Sequence, residues 1–272
     1  MAKAEQKGLK MKELTKAEIE EIEKMAQSKS KLEREEAIWS KNAPAHVLKK
    51  LADDEDNDVR AAVAGHSNTP IAVLEKLAGD ESEDVRADVG MNVSAPVNLL
   101  EKLAGDESSL VRTFVASNPN VSLYLLEKLS NDDCEDVRAA VGENPITPVN
   151  LLEKLSNDDC ELVREGVGMN ASAPVNLLEK LSNDEDWEVR LSITLNKNAP
   201  VHILEKLAKD EDANVRECVA WNKNTPAKIL AILADDKNDD VREKVTYNLN
   251  TPTEVLEKLA NDDCYKVREA AS

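Results

Sequence analysis

The side-chain types that ordinarily carry out chemistry are few in this chain and widely spread. Three of its four cysteines, Cys134, Cys160 and Cys264, are separated by one and by four steps of 26 residues. If one step is one structural layer, neighbouring thiols sit on the order of 10 Å apart, too far for a disulfide and wrong for tetrahedral zinc. Cys218 stands where other copies carry Ala, Gly or Ser, which reads as a small packing residue. His46 and His202 share a repeat position six steps apart, so they cannot converge, and His66 takes a place held elsewhere by Asn. The acidic run Asp53 to Asp58 has calcium-like composition, but it lacks the central Gly and terminal Glu of an EF-hand loop and reads as a solvated edge. No Ser/His/Asp, Cys/His or paired-carboxylate arrangement stands out, and the eight glycines form no phosphate loop. No catalytic or metal-binding residue is nominated, no cofactor is expected, and the chain is not expected to be an enzyme.

The elements that position these residues come from an internal repeat. Arginine stands at Arg34 and then at Arg60, Arg86, Arg112, Arg138, Arg164, Arg190, Arg216, Arg242 and Arg268. Aspartate keeps the same 26-residue step at Asp54, Asp80, Asp106, Asp132, Asp158, Asp184, Asp210, Asp236 and Asp262. Proline recurs at Pro44, Pro70, Pro96, Pro148, Pro174, Pro200, Pro226 and Pro252, with Ser122 in the missing place. Leu-Glu-Lys-Leu recurs from Leu74 to Leu256, and Ile22-Glu-Lys-Met25 is a diverged first copy. About ten copies therefore fill residues 14–272 as a single domain: a cap over about 14–43, then repeats starting near 44, 70, 96, 122, 148, 174, 200, 226 and 252. Residues 1–13 are expected to be a flexible N-terminus.

Each copy predicts two short helices. The first begins at Thr69-Pro70, with Thr as cap and Pro at the first helical position, and buries Ile71, Val73, Leu74 and Leu77. Glu75 and Lys76 face the other side. After the turn Gly79 to Ser82, a second helix carries Val85 and Val89 on one face and ends at Asn92, a residue that tolerates a left-handed cap. Helices this short cannot bury an apolar face alone, so the copies must stack into an all-α solenoid. The Asp/Arg series reads as a structural ladder within or between copies, and the Asn series as caps.

The string Val-Arg-x-x-Val-Ala/Gly-x-Asn, followed by Thr/Ala-Pro-x-x-Leu-Leu-x-x-Leu-Ala/Ser-x-Asp, resembles the leucine-rich repeat variant (LRV) family over residues 15 to 270, and more loosely HEAT-like repeats. The resemblance implies a right-handed superhelix in which an α-helix alternates with a shorter, partly 3₁₀ helix. Some members carry a Cys-ligated iron-sulfur domain at the N-terminus. Residues 1 to 50 contain no cysteine here, so the cluster is not carried over.

Charge and composition narrow the function. A net charge of −19 repels a phosphate backbone, so nucleic acid is not an expected partner. No apolar run approaches the roughly 20 residues that span a bilayer, no secretory leader is visible, and a reducing, cytoplasmic home is expected. The position two residues after the second Val is not fixed by the scaffold. It reads Trp39, Gly65, Met91, Ser117, Glu143, Met169, Leu195, Trp221 and Tyr247, and Leu191 lies one turn before Leu195. It points roughly 140° from the buried valines, and aromatic and Met residues are enriched at interfaces. Two readings stay open: a contact surface, or sideways packing onto neighbouring copies. The expected function is a monomeric, non-enzymatic scaffold binding a protein or peptide, with a basic partner favoured. The alternative is a HEAT-like accessory subunit of an enzyme or chaperone system that handles a cofactor. A third is an array with no specific partner, since residues 89–106 and 167–184 are nearly identical, as in recent duplication or consensus-like construction.

Overall fold

The computed structural model describes residues 14–40 and 43–272, so the expected flexible N-terminus, residues 1–13, lies outside the described residues. Every regular element among the described residues is an α-helix, and there are twenty. After Lys16–Met25 and Lys31–Trp39, seven-residue first helices run from Ala45–Leu51 to Thr253–Leu259 in steps of 26. Nine-residue second helices alternate with them from Asn57–Gly65 to Asp239–Tyr247, and Tyr265–Ala270 follows. Both helices of a layer are α-helical throughout, so the partly 3₁₀ element implied by the family resemblance is absent among the described residues. The chain forms two compact units, residues 1–111 and 112–272, and each is an all-α repeat solenoid.

Within a layer the apolar pattern behaves as the periodicity requires. Val73, Leu74 and Leu77 of one helix and Val85 and Val89 of the next are buried, whereas Ile71 at the helix start is exposed. Proline is the N-cap and not the first helical residue. Pro70 holds φ −60°, ψ 142°, and its carbonyl accepts from the backbone of Val73 at 2.8 Å and Leu74 at 3.1 Å. The threonine before it does not cap that helix. The Thr69 hydroxyl donates backwards to the Val63 carbonyl at 2.6 Å, as do Thr147 to Val141 and Thr225 to Val219. These hydroxyls close the C-terminal end of the preceding second helix.

The asparagines correct a second expectation. Asn92 is extended at φ −65°, ψ 121°, not left-handed. Its side chain explains the residue type. The buried amide Nδ2 donates to the Ala64 carbonyl at 2.6 Å and the His66 carbonyl at 3.0 Å, both one layer back, and Oδ1 accepts from the Ser94 N–H at 2.8 Å. Asn144, Asn170, Asn196 and Asn248 repeat this pattern. A side chain with two donors and an acceptor in one plane meets three backbone groups that a short helix leaves open. His66 substitutes for half of it: Nδ1 accepts from the Asn68 N–H at 3.2 Å, and burial holds the imidazole pKa below its ordinary value.

In the second unit, adjacent second helices approach closely through glycine. A Cβ on Gly166 of Glu161–Met169 would lie 2.7 Å from the Ala139 carbonyl of Glu135–Glu143, and one on Gly168 would lie 2.0 Å from Ser192 Oγ. Gly166→Ala should therefore cost about 1–3 kcal/mol in urea denaturation by overpacking against backbone. At Gly65 the nearest atom is 3.8 Å away, and Gly65→Ala should be neutral or gain up to roughly 1 kcal/mol from helix propensity. Asn170→Ala removes bonds of 2.6 and 2.9 Å to Gly142 and Asn144 and should cost about 2–4 kcal/mol by the same measurement.

Candidate functional site

The charged ladder takes its geometry from the turn between the two helices of a layer. Arg60 donates through Nε and Nη2 to the two carboxylate oxygens of Asp80, each at 2.8 Å, one layer on. Its Nη1 donates to the Asp54 and Glu55 carbonyls of its own turn at 2.9 and 3.3 Å. Arg34 pairs in the same way with Asp54, and Arg86 with Asp106, in the first unit. In the second unit the pairs are Arg112–Asp132, Arg138–Asp158, Arg164–Asp184, Arg190–Asp210, Arg216–Asp236 and Arg242–Asp262. Arg268 donates to the Asp262 and Asp263 carbonyls at 2.7 and 2.9 Å. Each aspartate also accepts a backbone N–H two residues on, as Asp80 does from Ser82 at 3.0 Å. The forks are nearly buried, with Arg216 5% and Asp236 8% exposed at the side chain. The guanidinium of Arg60 holds Asp80 below the ordinary carboxylate range, and Arg138 and Arg242 do the same to Asp158 and Asp262.

A lysine ladder escaped the sequence reading, which placed this side chain in solvent. Lys154 Nζ reaches back one layer to the Ser130 carbonyl at 2.6 Å and to Asn131 Oδ1 at 2.7 Å, and Lys180 repeats this on Ser156 and Asn157. Ser130 and Ser156 are C-caps of first helices, where open carbonyls and the helix dipole favour a cation. The histidines and cysteines do not converge. His46 bonds Glu23 at 2.7 Å, His202 bonds Glu179 at 2.9 Å, and the Cys264 thiol donates to Asp239 at 3.1 Å. Among the described residues, no three His, Cys, Asp or Glu side chains are placed to hold a metal ion.

The second-helix face is different, because its side chains are not consumed by the ladders. In the first unit Trp39 is 64% exposed and Met91 is exposed. Trp39 tilts against His66 with ring centroids 6.2 Å apart, and it lines an open cavity of about 470 Å³ with Glu21, Ile22, Met25 and Glu36. In the second unit Met169, Leu195, Trp221 and Tyr247 are exposed, Trp221 by 59%, and Leu191 is half-buried. Each ring has a neighbour on one side. Lys244 Nζ lies 5.7 Å from the Trp221 ring centroid, and the Tyr247 hydroxyl donates to Glu243 at 3.1 Å. Sideways contact and exposure therefore coexist.

A second set of carboxylates on this face stands at a position that recurs in the 26-residue register four places before the bulky one. Glu165, Glu217 and Glu243 hold that place, and Glu143 takes the bulky position itself. Glu165 Oε1 is buried with no hydrogen-bond partner among the described residues. Burial, with help from Glu188 and Asp186, raises the Glu165 pKa, and burial raises Glu143 and Asp88 as well.

The family model of the leucine rich repeat variant matches residues 58–82. That stretch is one repeat of LRV pattern. No curated protein matches. Among solved structures, "a leucine-rich repeat variant with a novel repetitive protein structural motif" is 23% identical, over 90% of this chain and 87% of that one, with a TM-score of 0.48. Kap95p, in a structure on its binding to RanGDP, is 15% identical over 93% of this chain and 40% of that one, TM-score 0.37. A designed armadillo repeat protein in complex with peptide (KR)4 is 17% identical over 93% and 96%, TM-score 0.25.

The two carboxylate populations act on stability with opposite sign. Glu165, Glu143 and Asp88 are raised in the folded state, so protonating them relieves a penalty, and stability should rise as pH falls from 7 towards about 4.5. Asp80, Asp158 and Asp262 are depressed, so their contribution is present above about pH 4 and is lost as pH falls through their folded values. Melting temperature against pH should therefore peak in mild acid and collapse below about pH 4, with the mild-acid gain reduced in Glu165→Gln.

Proposed function

We propose that this chain is a non-enzymatic repeat scaffold that binds a protein or peptide through its second-helix face. One observation carries the reading. Large apolar side chains stand at a second-helix position that the ladders and the core leave free, and Trp39 and Trp221 keep 64% and 59% of their surface exposed. Monomeric proteins tend not to expose such groups in a series without a use, and Trp and Tyr on a rigid backbone dominate binding energetics.

The electrostatics favour a basic partner. The same face carries Glu165, Glu217 and Glu243, and a net charge of −19 speeds the approach of a cation-rich segment. It also disfavours nucleic acid. No helix among the described residues is long and apolar enough to cross a membrane. A monomeric state and a reducing, cytoplasmic setting complete the proposal.

The experiment is a double substitution, Trp221→Ala with Tyr247→Ala, compared with wild type in affinity capture with mass spectrometry. Far-UV helicity should be unchanged and the melting temperature should stay within about 3 °C, while the protein captured by wild type is lost. A melting temperature lowered by about 10 °C or more would show that the rings are inter-layer packing and end the interface reading.

A further inference from the structure

Lys244 shows what this face is built to hold. Its ammonium lies 5.7 Å from the Trp221 ring centroid and 3.4 Å from Glu217 Oε1. Glu217 and Trp221 are four residues apart on Ala213–Trp221, so both project on one side, and the lysine comes from the next second helix, Asp239–Tyr247. An aromatic face and a carboxylate one turn before it thus bind a cation supplied by the chain itself. The pair recurs one layer on. Glu243 and Tyr247 are again four apart, the Tyr247 hydroxyl donates to Glu243 Oε1 at 3.1 Å, and Tyr247 is 49% exposed. The residue equivalent to Lys244, 26 positions later, is Ala270, which brings no ammonium. Glu269 precedes it, and its charge acts on the Tyr247 phenol, as those of Glu243 and Lys244 do. Lys266, the nearest lysine in sequence, sits instead beside Asp240 at 3.8 Å.

We propose that the Glu243–Tyr247 pair is a cation site that takes a lysine side chain of an extended, basic partner segment. The inference rests on the second-helix face being the binding surface, and it names the chemistry of the occupant. The ring would face the ammonium and the carboxylate would pair with it, as Trp221 and Glu217 do for Lys244. Glu165 and Met169 stand in the same relation further along this unit, with Glu165 Oε1 buried and without a hydrogen-bond partner among the described residues. Layers about 8–10 Å apart match about three residues of extended chain, so lysines at every third position keep register with the layers.

The probe is a fluorescein-labelled peptide of four Lys-Gly-Ser triplets, followed by fluorescence anisotropy, with a Glu-Gly-Ser peptide as control. Wild type should bind the lysine peptide and not the glutamate one. Glu243→Gln with Tyr247→Ala should weaken binding roughly five- to tenfold while helicity is retained. Ala270→Lys, which supplies the chain's own ammonium, should weaken it as well. Lys244→Ala uncovers the Trp221 pair and should strengthen binding by about threefold. Lys237→Ala makes the same charge change on an exposed turn and should not. The proposal is overturned by no lysine-peptide binding at about 1 mM, by Glu243→Gln/Tyr247→Ala binding within about twofold of wild type, or by Lys237→Ala matching Lys244→Ala. Each of those results leaves the scaffold reading standing if the captured protein is still lost in Trp221→Ala/Tyr247→Ala, so the two ideas fail separately.

Discussion

A helix of seven to nine residues cannot satisfy its own ends, and every other feature of this molecule follows from how those ends are met. Four carbonyls at each C-terminus and four N–H groups at each N-terminus lack intrahelical partners, which in helices this short is about half of the backbone. Here the neighbouring layer supplies many of them. Asn170 Nδ2 reaches the Gly142 and Asn144 carbonyls behind it, and Lys154 Nζ reaches the Ser130 carbonyl. Arg138 holds its own turn through the Asp132 carbonyl while forking onto Asp158 ahead. A single layer leaves its apolar face open to water, so the layers must stack, and stacking buries these polar groups only because the neighbouring layer pairs them. The apolar core needs only Leu, Val and Ala between such short helices, which explains an aromatic content of 3%.

The same arrangement separates the charge held in the ladders from the charge left on the second-helix face. In the forks of Arg60 and Arg138, the guanidinium holds Asp80 and Asp158 below the ordinary carboxylate range. Glu165 and Glu143 on the second-helix face have raised pKa values because burial disfavours their charged forms. A carboxylate that is partly desolvated without a cation is in the right condition to gain from one, since the desolvation is already met by the folded scaffold. Lys244 supplies that cation at Glu217, with Trp221 beside it. The face is thus acidic and aromatic in alternation, on a backbone that the ladders hold in register.

Much of the site was legible in the 26-residue register, and what was missed has a common cause. The bulky position could be seen because Trp39, Trp221 and Tyr247 break a series that is small in Gly65 and Ser117. The Lys154 ladder could not, because a lysine on the polar side of a helix looks solvated until the preceding layer's open carbonyl is placed beside it. Sequence alone favours a left-handed cap at Asn92, because Asn tolerates that conformation locally. Its extended backbone follows from a non-local demand, two carbonyls of another layer at 2.6 and 3.0 Å. Thr69 was likewise assigned to the helix after it, although its hydroxyl closes the helix before it at 2.6 Å.

Periodicity alone determined the all-α class, the two helices per copy, the buried Leu and Val positions and the register of every ladder residue, because these depend on chain-local spacing and on the area that each helix must bury. What crosses from one layer to the next was decided only in three dimensions. That set includes the Arg60–Asp80 fork, the Asn amides, the Lys154 reach, the glycines that admit close helix approach at Gly166, and the cation held between Trp221 and Glu217. The physical reason is that a hydrogen bond or a cation–π contact depends on distances of a few ångströms between residues 20 or more apart in sequence. A repeat announces that such residues are neighbours, but not which of their atoms meet.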